Sequence, residues 1–266
     1  TGGAIDNNNI LNIVGSIFND NVAGSEGGAI IARKDINITH SALFNNRAAD
    51  ADAIYVNDNN SNMTNNWWGL NNPNFEKLLN FNLPDNFTWI VMDFKNIGEF
   101  MQYENSNILV NLNKVKNKIG QKFDLNSQEL LPALDVAVSN GGKFVIENGQ
   151  LSKSIYISLV QSISFTLDGQ SFSFNVLTNP SKITGNRNIV EDYKGKTTFK
   201  VRVIGRNGQT AGANEVVVMK IAGKSYYVKT DKNGYATKIF SLTPGKYTVT
   251  SIYKGSTVKN TITIKK

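Results

Sequence analysis

Apolar positions fall into three regimes along the 266 residues. In the first, short apolar groups return at a constant interval. Gly2-Gly3-Ala4-Ile5 recurs as Gly27-Gly28-Ala29-Ile30 and, more loosely, as Ala51-Asp52-Ala53-Ile54. Asn12-Ile13-Val14 recurs as Asn37-Ile38-Thr39 and as Asn62-Met63-Thr64, 25 residues apart each time. Ser16-Ile17-Phe18-Asn19 recurs as Ser41-Ala42-Leu43-Phe44-Asn45, with one residue inserted. A period near 25 with no helical apolar spacing inside it predicts rungs of a parallel β-helix. Stacking would place Ile5 over Ile30 over Ile54, and Ile13 over Ile38 over Met63, each gaining about 1.5–3 kcal/mol on full burial. Strand alternation puts Asn12, Asn37 and Asn62 on the face opposite Ile13 and its partners. Inward, their amides would form a ladder; outward, they are solvated. The repeat stops at Asn66-Trp67-Trp68-Gly69. The indole pair is predicted to cap the stack, with an exposed platform for sugar rings as the competing reading. Asn71-Asn72-Pro73 reads as a turn, and Asn74 to Asp85 as a connection with one helical turn.

In the second regime, alternating runs read as strands: Trp89–Met92, Ile108–Leu112, Leu134–Val138, Lys143–Ile146, Ser154–Leu159, Ser162–Leu167 and Ser171–Val176. Asn140-Gly141-Gly142, Asn148-Gly149 and Asp168-Gly169 are turn signals between them. The third regime repeats this with Thr198–Ile204, Glu215–Ile221, Ser225–Lys229, Tyr235–Leu242, Tyr247–Tyr253 and Val258–Ile264. Asn207-Gly208, Asn233-Gly234 and Pro244-Gly245 punctuate it. The expected architecture is all-β: about three rungs over 1–86, a β-sandwich over 87–180 and a second sandwich over 181–266.

Composition narrows the chemistry. The 38 Asn and 22 Gly against 5 Pro suit many tight corners with positive φ. Cysteine is absent, so disulfides and thiolate metal sites are excluded, and His40 is the only imidazole for a triad or zinc site. No apolar run approaches the length of a membrane-spanning helix. The chain opens on Thr1 without initiator Met or signal sequence, and is expected to be part of a longer precursor. The net charge of +7 is unevenly spread. Residues 1–90 carry −5, residues 91–180 carry −1 and residues 181–266 carry +13, which points the last segment toward an anionic partner such as cell-wall polymer or toward plain solubility.

The Gly-Gly-Ala-Ile repeats and Phe18-Asn19-Asp20-Asn21 resemble the GGA-I and F-x-x-N repeats of polymorphic outer-membrane proteins. Asn66-Trp67-Trp68-Gly69 followed by Asn71-Asn72-Pro73 resembles the end of the β-helix in adhesin-like surface proteins of methanogenic archaea. Immunoglobulin-like domains follow the stack in that family. The Thr230–Ala236 turn and the Leu242–Val249 segment are similar to such modules. The third repeat departs from the pattern by carrying Ala51 and Asp52 for the glycines, and Arg47 stands where F-x-x-N expects Asn. The resemblance implies a right-handed parallel β-helix, two Ig-like sandwiches, an extracellular location and an adhesin-like role.

Catalysis is not expected. Asp20, Asp35, Asp50 and Asp52 offer carboxylates for glycoside cleavage, but Asp is also a corner residue. No cofactor or metal is expected: Asp58-Asn59-Asn60 and Asp231-Lys232-Asn233-Gly234 lack the carboxylates calcium needs. Lys200 and Asn260, with Glu215 as the acid, are candidates for an isopeptide staple. Asn37, Asn59, Asn62 and Asn86 begin N-x-S/T glycosylation sequons. The function expected is a non-catalytic surface binding cells or glycans, with the sandwiches as stalk or wall-proximal spacer. The alternatives are a structural surface-layer or stalk component and a β-helix polysaccharide-cleaving enzyme. Nucleic acid is not an expected partner.

Overall fold

The computed structural model describes residues 2–57, 60–125, 131–139 and 142–266. It is nearly all β, with one helical turn. The chain forms two compact units. The first comprises Thr1–Phe100, Asn105–Ile155 and Ser162–Asn175; the second comprises Met101–Glu104, Tyr156–Gln161 and Val176–Lys266.

The first unit opens with three rungs. Strands β1 (Ile5–Asn7), β2 (Leu11–Val14) and β3 (Ile17–Asn19) form the first, and β4 (Ile30–Ala32), β5 (Ile36–Thr39) and β6 (Ala42–Phe44) the second. β7 (Ile54–Val56) belongs to the third. Pairing is parallel and in register: Ile5, Ile30 and Ile54 stand in line, as do Ile13 and Ile38, while an Asn37–Asn62 bridge extends the second line into the third rung. Ile30, Ile38, Ile54 and Met63 are fully buried in one apolar core. The three sheets are separate and open.

Register corrects the F-x-x-N reading. The 25-residue register runs through this segment without the expected insertion, so Leu43, not Phe44, is the partner of Phe18, and Asn46, not Arg47, is the counterpart of Asn21. The motif is therefore kept in space. Corners stack as well: Gly15, His40 and Asn65 have φ of 63°, 50° and 59°, and Asp20 and Asn45 have 56° and 57°. These left-handed positions favour Gly and Asn, and three of the five corners carry one of them.

The Gly-Gly pairs serve close approach between rungs. A Cβ on Gly28 would stand 2.0 Å from the Asp52 carbonyl oxygen, and one on Gly3 2.0 Å from that of Gly28. At Asp52 the next layer is a helical segment instead of another Gly-Gly pair. In α1 (Phe75–Leu78) and just beyond, Lys77 and Leu78 carbonyls accept from the Asp52 and Ala53 N–H groups.

The cap differs from the expected indole pair. Alternation along the chain sends Trp67 and Trp68 to opposite sides. Trp68 joins the rung core and meets Phe75 edge-on at 5.6 Å; Phe75 in turn meets Phe87 and Trp89 at 5.2 and 5.1 Å. Trp67 is 0% exposed but lies outside that cluster. Both indoles are buried, so the sugar-platform reading is overturned.

Trp89 sits on β8 (Thr88–Ile97), which bridges to Asn66 in parallel and runs antiparallel to β9 (Asn105–Asn117). With β10 (Lys122–Asp124) and β13 (Gln150–Tyr156), these form one sheet. The other sheet has the order β12 (Lys143–Ile146), β11 (Leu134–Val138), β14 (Ser162–Leu167), β15 (Gln170–Asn175). The two pack through phenylalanines: Phe94 on β8 lies 4.6 Å from Phe165 on β14 and 4.8 Å from Phe174 on β15. The turn signal at Asn140-Gly141 lies outside the described residues.

The second unit contains a sandwich. One sheet is β16 (Lys182–Thr184), β18 (Thr197–Ile204) and β21 (Tyr235–Phe240), in that order. The other runs β17 (Ile189–Asp192), β23 (Ser256–Lys265), β22 (Gly245–Tyr253), β19 (Val216–Ile221), β20 (Lys224–Lys229), with β17 parallel to β23. This Greek-key order is that of an immunoglobulin-type sandwich. Alternating residues such as Phe199, Val201 and Val203 fill its core against Val217, Met219 and Ile262.

Two substitutions test the rung geometry. Gly28→Ala should cost about 1–3 kcal/mol by forcing two rungs apart. Ala51 occupies the backbone conformation of Gly27 (φ 56° against 58°) but carries a side chain. Ala51→Gly should therefore raise stability by about 0.5–1 kcal/mol. Urea unfolding midpoints of the full chain check both.

Candidate binding surfaces

The outer row of the rungs is polar and hydrogen-bonded between layers. Asn62 Nδ2 donates to Asn37 Oδ1 at 2.9 Å, Asn60 Nδ2 to Asp35 Oδ2 at 3.3 Å and Asn45 Nδ2 to Asn19 Oδ1 at 3.4 Å. Arg33 reaches Asp6 with two N–H groups at 3.1 and 3.2 Å. The Asn column is thus outward, and within it the amides of Asn37 and Asn62 pair. A second set of amides lies inside the corners, where the backbone ladder breaks. Buried Asn66 donates to the Ile38 and Met63 carbonyls and accepts from the Ser41 N–H. Asn46 accepts from the Asn21 N–H and donates to the Phe18 carbonyl, and Asn80 brackets both backbone groups of Val56. The sequence signalled Asn abundance but not this division between an outer row and an inner set.

Of the sequon residues, Asn37, Asn62 and Asn86 are exposed, and Asn59 lies outside the described residues with its neighbour Asp58. Asn37 and Asn62 are the two members of one ladder step.

The rung carboxylates do not converge. Asp52 is bound to Lys77 at 2.8 Å and accepts from the Ala48 N–H at 3.0 Å. Burial pushes its pKa up, but these bonds and the charges of Lys77 and Arg47 outweigh it and hold the carboxyl below the usual range. Asp50 is exposed and lines a different depression, Asp20 a third, and Asp35 pairs with Asn60. Among the described residues no three His, Asp or Glu side chains form a metal cluster. Asp231 accepts from the Asn233 and Tyr235 N–H groups at 2.8 and 3.0 Å, which makes it a turn residue.

A buried contact that sequence reading missed ties Trp67 to the turn between β14 and β15. Trp67 Nε1–H donates to Asp168 Oδ2 at 2.6 Å, and the Gln170 side chain accepts from the Asn71 N–H at 2.9 Å. Burial raises the Asp168 pKa to about 6, against the lowering effect of the indole N–H; Asp135 and Asp20 add like charge.

In the immunoglobulin-type sandwich the three staple candidates are held apart. Lys200 points outward from β18, its ammonium 4.1 Å from the Tyr235 ring centroid. Asn260 is buried on β23, accepting from Asn186 Nδ2 at 3.0 Å and donating to Asn188. Glu215 accepts from Tyr253 Oη at 2.8 Å. Lys200 lies on an outer face while Asn260 faces the interior, so the expected staple is not assembled. A different lysine is pulled inward: Lys254, at the tip of the β22–β23 hairpin, stands 2.7 Å from Glu104 and 3.5 Å from Glu215. Asn179 also donates to Glu104, at 3.2 Å. Burial, together with Glu215, holds the Tyr253 phenol above its ordinary range.

No family model and no curated protein matches the chain. Solved structures with similar stretches include the I9-I11 tandem from titin, at 15% identity over 68% of this chain and 66% of that one, TM-score 0.40. Domains 4 and 5 of the S-layer protein SbsC align at 12% identity over 66% of this chain and 99% of that one, TM-score 0.26. A 1.5-MDa bacterial ice-binding adhesin aligns at 16% identity over 65% and 64%, TM-score 0.22. The chain thus spans just under two thirds of the titin tandem's length.

Two predictions follow from these contacts. The native state holds the Asp168 proton more tightly than an unfolded chain, whose Asp titrates near 3.9. Its contribution to stability is therefore complete below pH about 4 and is lost as pH rises through about 6. Asp168→Asn keeps an acceptor for the indole and should remove this slope: its Tm, relative to the parent, should rise between pH about 4 and about 7. Lys254→Met leaves Glu104 and Glu215 without their cation and should cost about 1–2 kcal/mol, moderated by the partial exposure of all three groups. Adding Glu104→Gln should recover part of that loss in a double-mutant cycle read by urea unfolding.

Proposed function

We propose that this chain is a module of an extracellular, adhesin-like surface protein of the type its Asn66-Trp67-Trp68-Gly69 segment resembles. In this reading residues 1–86 are the end of a right-handed parallel β-helix, 87–180 and 181–266 are Ig-like sandwiches, and the role is presentation of a surface, not catalysis. The observation that carries it is the in-register parallel stacking of the rungs with the amide ladder on their outer face. A stack of that kind is rigid and repeats its surface chemistry at each layer, which suits contact with repeating or extended partners such as glycans. The separate engagement of Asp20, Asp35, Asp50 and Asp52 favours binding over cleavage of such partners. No described helix is long and apolar enough to cross a membrane.

A second reading, a stalk or surface-layer component without a specific ligand, draws on the two-sheet modules that make up most of the chain. Binding of the full chain to whole cells and to a glycan array separates the two. Saturable association with particular cells or neutral glycans supports display; uniformly absent association favours the stalk. Release of reducing ends from a polysaccharide panel would overturn the non-catalytic assignment.

A further inference from the structure

The charge of +13 in residues 181–266 has a structural focus. Residues directly opposite in an antiparallel pair share a face. Phe199, Val201 and Val203 point into the core, so Lys200 and Arg202 point outward, with Tyr235 opposite Arg202 on β21 and Lys182 opposite Ile204 on β16. No carboxylate stands on this outer face of the three-stranded sheet. Beside it runs a groove of about 720 Å³, walled by the connection from Gly185 to Val190 and floored by β18 and Tyr235. Its lining includes Arg187 and Lys200 and no Asp or Glu.

The groove is preformed. Asn186 donates to Asn260, and Asn188 accepts from the Thr261 N–H at 2.8 Å and from Asn260 Nδ2 at 3.4 Å. Arg187, between these two anchored residues, is therefore carried on a fixed strip of backbone. Lys200 and Arg202 lie 4.1 and 5.4 Å from the Tyr235 ring centroid, so their heads are gathered instead of splayed. Arg202 Nη2 is further tied to Thr210 Oγ1 at 2.6 Å. Ordering these long side chains in advance removes an entropic cost that a ligand would otherwise bear.

We propose that this groove binds a linear acidic polysaccharide. Arg187 and Lys200 meet the carboxylate or sulfate groups, and Val190, 63% exposed, meets the C–H face of a sugar ring. Other polyanions fit less well. Tyr235 already holds the cations and offers no open ring for stacking bases, and a single exposed valine is too little to enter a lipid headgroup layer. The inference rests on the extracellular reading, because it assigns that surface a wall or matrix partner.

Calorimetric titration of the full chain tests it, with polygalacturonate and chondroitin sulfate as carboxylated and sulfated probes, dextran as the neutral one and a DNA duplex as the competing polyanion. One or both acidic polysaccharides should bind and dextran should not. Arg187→Glu with Lys200→Glu should weaken binding about tenfold or more, whereas Lys224→Glu with Lys229→Glu, an equal charge change on exposed positions of β20, should weaken it less than about twofold. Equal weakening by both pairs would mean diffuse attraction and overturn the site. Absence of binding to both acidic polysaccharides, or equally tight binding to DNA, would overturn it too. Such a failure leaves the whole-cell and neutral-glycan result standing; loss of that result instead would mark failure of the display reading itself.

Discussion

The stack that opens the first unit depends on one requirement: each layer must hand its backbone N–H and C=O groups to the next without a gap. The short strands do this along the sides, but three- and four-residue strands cover only part of each turn. At the corners the peptide groups diverge and would be left unpaired inside a packed core. Asn46, Asn66 and Asn80 supply the missing partners, since one amide can both accept from an N–H and donate to a carbonyl. Asn71 does the same for both backbone groups of Met92, where the β8–β9 register shifts. The apolar core contributes the larger energy, but the amides make burial of so many corners permissible.

That division explains what could be read from the sequence. The columns of Ile5, Ile30 and Ile54 and of Ile13 and Ile38 were legible because identical spacing places them in register. The long alternating strands were legible through period two, although the strand read at Ser154–Leu159 lies earlier, as β13 at Gln150–Tyr156, and overlaps it only at Ser154–Tyr156. β10, β16 and β17, each three or four residues long, were missed. β17 pairs with a strand about 70 residues further on, a contact with no local signature. The contact of Trp67 with Asp168 was hidden for the same reason, being 101 residues apart. The separation of the staple candidates became visible only with the core: Phe199, Val201 and Val203 fill it, which puts Lys200 on the outer face of β18.

The candidate surface was only half visible. Net charge pointed to residues 181–266, yet 17 basic side chains cannot by themselves distinguish a site from a soluble coat. The distinction comes from what fixes a few of them: the Asn186 and Asn188 anchors on β23, and the Tyr235 ring beneath Lys200. Asn260, suspected of covalent chemistry, turns out to be the post on which that wall is mounted.

The parallel pairing of β17 with β23 has a mechanical consequence. The four pairs from Ile189 with Ile262 to Asp192 with Lys265 join an early strand of the sandwich to its last one. Tension entering ahead of β17 and leaving beyond β23 pulls these strands lengthwise past each other. Under such shear the hydrogen bonds share the load and must rupture together, whereas an antiparallel hairpin peeled from its open end yields one bond at a time. A domain wired in this way transmits tension along a tethered chain before it begins to unravel.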